Sequence, residues 1–144
     1  MYTINKVQVW AADILNQPGT LAHVLECVGK AGAQLEFMIA RRVNEGTSRV
    51  FLAPLKGAKQ VRAAAEVGLV PAAGMHSLRV EGPDRPGLGS ALTRSVAAEA
   101  LNLRGASAAA VGRKAVLYLA FESEEALKAA TKAVRKVLRS GARR

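Results

Sequence analysis

Apolar positions along the chain switch between two periods. Val7, Val9 and Ala11 alternate with Gln8, Trp10 and Ala12, which predicts a strand. After Asn16-Gln17-Pro18-Gly19, the residues Leu21, Val24, Leu25 and Val28 recur at i, i+3, i+4 and i+7, one face of a helix that Gly32 would stop. Leu35, Phe37 and Ile39 predict a second strand, Asn44-Glu45-Gly46 a turn, and Val50 to Leu55 a third strand that Pro54 either ends or confines to an edge. A helix is expected from about Ala58 to Glu66, with Val61, Ala64 and Ala65 inward, and then a short strand near Leu69 to Ala73.

The second half repeats this order. Leu78 and Val80 lie in a strand before Pro83-Asp84-Arg85-Pro86-Gly87, and Leu88, Leu92 and Val96 stripe the next helix. Leu103 to Val111 and Ala115 to Phe121 read as strands joined at Gly112-Arg113, a pair suited to a tight hairpin. Ser123 is a good N-cap, Glu124 and Glu125 suit the positive start of a helix, and Leu127, Ala130, Val134 and Leu138 form its inward stripe.

With an offset of 68 residues, Pro18-Gly19 falls on Pro86-Gly87, Val28 on Val96, Leu35 on Leu103, Ala40 on Ala108, and Asn16 on Asp84. The expected fold is α+β: two ferredoxin-like βαββαβ units with antiparallel sheets and helices on one face, divided as residues 1–74 and 75–144. The second unit is expected to lack a last strand of its own, because Ser-Gly-Ala-Arg-Arg is too short and polar to form one. Val50 to Ala53 and Leu117 to Phe121 are apolar on both faces, which predicts burial on both sides or self-association, with a homodimer as the expected state.

The two segments Asn16-Gln17-Pro18-Gly19-Thr20-Leu21-Ala22 and Asp84-Arg85-Pro86-Gly87-Leu88-Gly89 each follow a strand and open a striped helix. About fifteen residues later come Gln34-Leu35 and Asn102-Leu103, at the start of the next strand. In this the chain resembles a tandem pair of ACT domains over roughly residues 4–73 and 75–139. The first copy departs from the pattern by carrying Asn16 where an acid is usual. The resemblance implies a non-catalytic regulatory or sensing protein that binds an amino acid or similar small metabolite between paired units, and passes its output to a protein partner. It implies ligand contacts at Asn16, Gly19, Thr20, Leu21 and Gln34, and at Asp84, Gly87, Leu88 and Asn102.

Elementary chemistry is compatible with such contacts. A helix N-terminus carries unpaired N–H groups and a dipole that favour a carboxylate. Asp84 offers a charge to an ammonium group, whereas Asn16 offers only hydrogen bonds. The same residues are also ordinary turn and cap chemistry.

Charge adds a second theme. The 144 residues carry a formal net charge of +10, and seven basic residues with no acid lie between Lys128 and Arg144. Such a surface attracts nucleic acid, acidic protein or anionic lipid, although a solvated helix face has the same composition. Nucleic-acid binding is the alternative function, with Phe37, Phe51, Tyr118 and Phe121 as stacking candidates, but the expected Gly-and-aromatic run is missing. An oligomeric interaction module without ligand is the third reading. Half of the residues are hydrophobic, which argues against disorder, and no apolar run is long enough to span a membrane. A single cysteine, Cys27, excludes an internal disulfide; with no secretory signal visible at the start, the expected compartment is the cytoplasm. His23 and His76 lack ligand-spaced companions, and Gly87-Leu88-Gly89 lacks the third glycine of a dinucleotide turn. No cofactor, no metal and no catalytic set are expected.

Overall fold

The computed structural model describes residues 1–142. Its elements run β1 (Thr3–Val7), β2 (Trp10–Leu15), α1 (Thr20–Lys30), β3 (Phe37–Arg42), β4 (Thr47–Ala53) and α2 (Gly57–Glu66). They continue as β5 (Val70–Pro71), β6 (His76–Pro83), α3 (Leu88–Ala98), β7 (Gly105–Val111), β8 (Lys114–Phe121) and α4 (Glu124–Ala142). Arg143 and Arg144, the end of the expected basic tail, lie outside the described residues.

The chain forms two compact units, Gln8–Ala73 and Met1–Val7 with the described residues from Gly74 onward. Each holds a four-stranded antiparallel sheet, in the order β3-β4-β2-β5 in one and β1-β6-β8-β7 in the other. Both are ferredoxin-like.

The N-terminal residues differ from the sequence reading. Residues 1–7 were expected in the first unit, within one strand running through Val7, Val9 and Ala11. Instead the chain breaks at Gln8–Val9, where the Gln8 Nε2 donates to the Val9 carbonyl at 2.8 Å. On one side of the break β1 pairs with β6 from Thr3↔Glu81 to Val7↔Ser77. On the other, β2 pairs with β4 from Trp10↔Leu52 to Leu15↔Thr47. The strand missing from the second repeat is thus supplied by the seven residues that precede the first.

The physical reason is visible in side-chain phase. Tyr2 and Ile4 pack against the core that Leu78, Val80, Leu92, Leu119, Phe121 and Val134 build under α3 and α4. Beyond the break it is Trp10, Ala12 and Ile14, not Val9 and Ala11, that join the core of Val24, Val28, Val50, Leu52, Ala64 and Leu69. Gly82 makes room for the crossing, since a Cβ there would land within the Tyr2 ring.

Helices α1, α2 and α3 end by a common device. At α1, Ala33 N–H bonds to Val28 O at 3.0 Å and Gly32 N–H to Gly29 O at 2.9 Å, with Gly32 at φ +91°. At α2 the same two bonds run from Leu69 to Ala64 and from Gly68 to Ala65. These are Schellman caps, which need a residue of positive φ after the helix. At α3 the bonds run from Leu101 to Val96 and from Ala100 to Ala97, but the positive-φ residue is Ala100, at 56°. The start of α4 is capped as expected, with Ser123 Oγ accepting from the Ala126 N–H at 3.0 Å.

Candidate functional site

The two Pro-Gly loops are built alike but are wired differently. Each enters its helix through a glycine in the left-handed region, Gly19 at φ 90° and Gly87 at φ 82°, and neither helix start has a side-chain cap. A left-handed N-cap suits glycine, which has no Cβ to strain there.

In the first loop the polar groups are engaged. Asn16 donates its Nδ2 to Glu45 O at 3.0 Å and its backbone N–H to Gly46 O at 3.0 Å. Its Oδ1 accepts from the Ser48 hydroxyl at 3.4 Å. Thr20 donates its hydroxyl to Leu15 O at 2.6 Å. Asn16 therefore clasps the β3–β4 hairpin, and Leu21 packs against the core.

In the second loop the Asp84 backbone N–H donates to Arg113 O at 2.8 Å, tying the loop to the β7–β8 hairpin. The Asp84 carboxylate is exposed and makes no hydrogen bond or ion pair among the described residues. Leu88 is only 3% exposed and belongs to the core, so its side chain supports the loop from beneath. Its N–H donates to Arg85 O at 3.2 Å, as the Thr20 N–H does to Gln17 O at 3.4 Å. The donors left open at the start of α3 are the N–H groups of Gly89 and Ser90, which sequence reasoning did not single out.

Tyr2 is a further residue that the repeat does not reveal, because it precedes both copies. Its hydroxyl donates to Pro83 O at 2.8 Å and accepts from Arg85 Nε at 3.4 Å, so the N-terminal strand buttresses the second loop.

Gln34 and Asn102 are exposed and precede β3 and β7. The register places them away from the loop of their own unit. Asn16 follows the Leu15↔Thr47 end of its sheet, whereas β3 begins at Phe37↔Ala53. Six residues of β4 separate these points, about 20 Å of strand. The same holds between Pro83↔Lys114 and Gly105↔Ala120 in the other sheet. Within one unit, Gln34 does not face Asn16, nor Asn102 Asp84.

Several other charges are paired. Lys114 and then Arg79 hold the Glu81 carboxyl below its usual range, at 2.7 and 2.8 Å. Lys6, with His76 beside it, does the same for Glu124, and Arg49 for Asp13. No group of three potential metal ligands occurs among the described residues. No helix is long and apolar enough to cross a membrane among the same residues. The stacking platform of the nucleic-acid reading is absent from the second unit, where Tyr118 and Phe121 are buried.

Solved structures share this architecture over nearly the whole chain. The regulatory subunit of aspartate kinase from Thermus thermophilus matches with a TM-score of 0.66 and 15% identity, covering 94% of this chain and 95% of that one. The protein BT0572 from Bacteroides thetaiotaomicron matches at 0.74 and 14% identity, covering 90% and 89%. The regulatory subunit from Thermus flavus matches at 0.57 and 18% identity, covering 95% and 96%. The fold is the tandem ACT-type fold. No family model matches the sequence, and no curated protein matches it.

Proposed function

We propose that this protein is a non-catalytic regulator that binds an amino acid, or a small metabolite with the same pair of charged groups, at the Asp84–Ser90 loop. One observation carries the reading. An unengaged carboxylate at Asp84 stands in the same short loop as the uncapped start of α3, whose Gly89 and Ser90 N–H groups lack partners among the described residues. The first would take an ammonium group, the second a carboxylate. The first loop offers less, because Asn16 is spent on its hairpin. The regulatory subunits that share the fold support the same class of role.

Self-association as a homodimer belongs to the proposal. Gln34 and Asn102 lie away from the loops of their own units and would contribute to a site only from another ACT-type unit, as a second copy of the chain supplies. The edge strand β7, Gly-Ala-Ser-Ala-Ala-Ala-Val, carries no charge or proline to blunt it, and Val111 is 82% exposed. The cytoplasm is the proposed compartment for this chain with one cysteine.

A thermal-shift screen of the twenty amino acids and common purines tests the reading. A ligand at about a hundred times its Kd stabilises the native state by about 2.7 kcal/mol. The expected result is a raised Tm with one class of amino acid, reduced by Asp84→Ala and kept by Asn16→Ala. No shift with any of them overturns the ligand assignment, and a mass of 15.1 kDa at all micromolar concentrations overturns the dimer.

A further inference from the structure

The geometry points to a docking groove between β1 and α4 for an extended acidic segment of a protein partner, added as a fifth strand on the free edge of β1. The inference stands whether or not the Asp84 loop takes a ligand.

The groove lies within one unit and has a volume of about 800 Å³. A smaller one of about 460 Å³ continues it, sharing Ile4, Arg135 and Arg139. Its floor is aliphatic, from Ile4 and Leu127, and its wall is basic, from Lys128, Lys132, Arg135, Lys136 and Arg139. None of these five has an acidic partner among the described residues. The one acid in the lining, Glu124, is held by Lys6 at 2.7 Å and by His76 at 3.3 Å.

Three features fix the occupant. Charge demands an anion, and it also excludes a second copy of this chain, whose identical basic face would be repelled in a symmetric contact. The edge demands a strand. β1 ends its sheet, pairs only with β6 among the described residues, and leaves Thr3 and Asn5 exposed. Such an edge is a template for one more strand, with main-chain bonds giving affinity and side chains giving specificity.

Spacing joins the two. Tyr2 lies by Leu138 and Arg139, whereas Lys6 bonds Glu124, so β1 runs antiparallel beside α4. Lys128, Lys132 and Lys136 repeat every four residues of helix, about 6 Å apart. Acidic side chains on one face of an extended strand repeat every second residue, about 6.7 Å apart. A segment with three alternating acids would therefore meet all three lysines while its backbone pairs with β1. An exposed base-stacking aromatic, which single-stranded nucleic acid favours, is missing from the larger groove.

The test uses the full chain and a synthetic nonapeptide alternating Glu with Val. Two further versions of it are N-methylated at every second backbone amide, one in each phase, so that charge is kept and one hydrogen-bonding edge is lost. The expected result is saturable binding that weakens with salt, as exposed charge pairs are screened. Affinity should fall about tenfold or more, at least 1.4 kcal/mol, for one methylated phase and for the folded triple variant Lys132→Glu, Arg135→Glu, Lys136→Glu. Equal binding by both methylated peptides, unchanged binding by the charge-reversed variant, or no binding of the peptide overturns the proposal. Tighter binding of a single-stranded RNA of equal charge does so as well, in favour of nucleic acid.

Discussion

Ala100 is the residue at which one substitution should make the protein more stable. It occupies the position that Gly32 holds in the first copy, 68 residues earlier, and completes the same pair of capping bonds at φ 56°. An L-residue in the left-handed region costs roughly 1–2 kcal/mol, because its Cβ crowds the neighbouring carbonyl. Glycine at the same place removes that strain but loses about 0.5–1 kcal/mol of additional chain entropy on folding. Ala100 is exposed, so deleting its methyl group opens no cavity. The balance predicts that Ala100→Gly stabilises by about 0.5–1 kcal/mol, on the order of 1–4 °C in Tm for a chain of this size. The reciprocal Gly32→Ala should destabilise by a similar amount. Its Cβ would meet only Gln60 Nε2, at the ordinary contact distance of 3.7 Å, so the cost there is conformational and not steric. Differential scanning calorimetry of the two variants beside the parent checks both signs. An unchanged or lowered Tm in Ala100→Gly, with Gly32→Ala behaving as expected, would refute the claim that Ala100 stores strain.

Three further outcomes follow from the same structure. Gly82→Ala should cost about 1–3 kcal/mol by forcing a Cβ into the Tyr2 ring, and should cost less in a Tyr2→Ala background, a coupling read by urea unfolding of the four proteins. Glu81 and Glu124 have folded-state pKa values lowered from 4.5, so their stabilisation is complete above that value and is lost as pH falls through the folded pKa; Tm should decline below about pH 4.5, less steeply in the Glu81→Gln, Glu124→Gln variant. Gly87→Val should lose ligand response more completely than Asp84→Ala, whose loss is about 1.5–3 kcal/mol of binding, with circular dichroism confirming that both are folded.

Much of the fold is legible in the sequence because its signals are local. The stripe from Leu21 to Val28, the Pro-Gly turns, the Gly112-Arg113 hairpin and the Ser123 cap each depend on neighbours a few residues away, and each appears where the pattern places it. The N-terminal strand is different. Its partner is β6, and the pairing Thr3↔Glu81 leaves no trace in the local pattern beyond a change of phase between Ile4 and Val7. An alternating run reads the same whether one strand continues or two strands meet end to end, so residues 1–7 were counted with the wrong sheet.

The site is legible only in part, for the same reason. Asn16 and Asp84 are equivalent in the repeat and both tie a hairpin through the backbone, yet only the Asn16 side chain adds to that clasp, a difference decided by Ser48 and by the carbonyl of Glu45. Gln34 and Asn102 follow their loops by about fifteen residues along the chain, and the antiparallel register sends them to the other end of the sheet. The basic stretch from Lys128 reads as bare charge until β1 is laid beside it.

The central claim is that the Asp84–Ser90 loop takes both ends of an amino acid. An amide-detected NMR titration with the hit from the screen tests it most directly. The account predicts the largest shifts at Gly87, Gly89 and Ser90, and their loss when the ligand's amine is acetylated or its carboxylate amidated. Shifts confined to Gly19, Thr20 and Leu21, or unchanged binding of both blocked ligands, would contradict it.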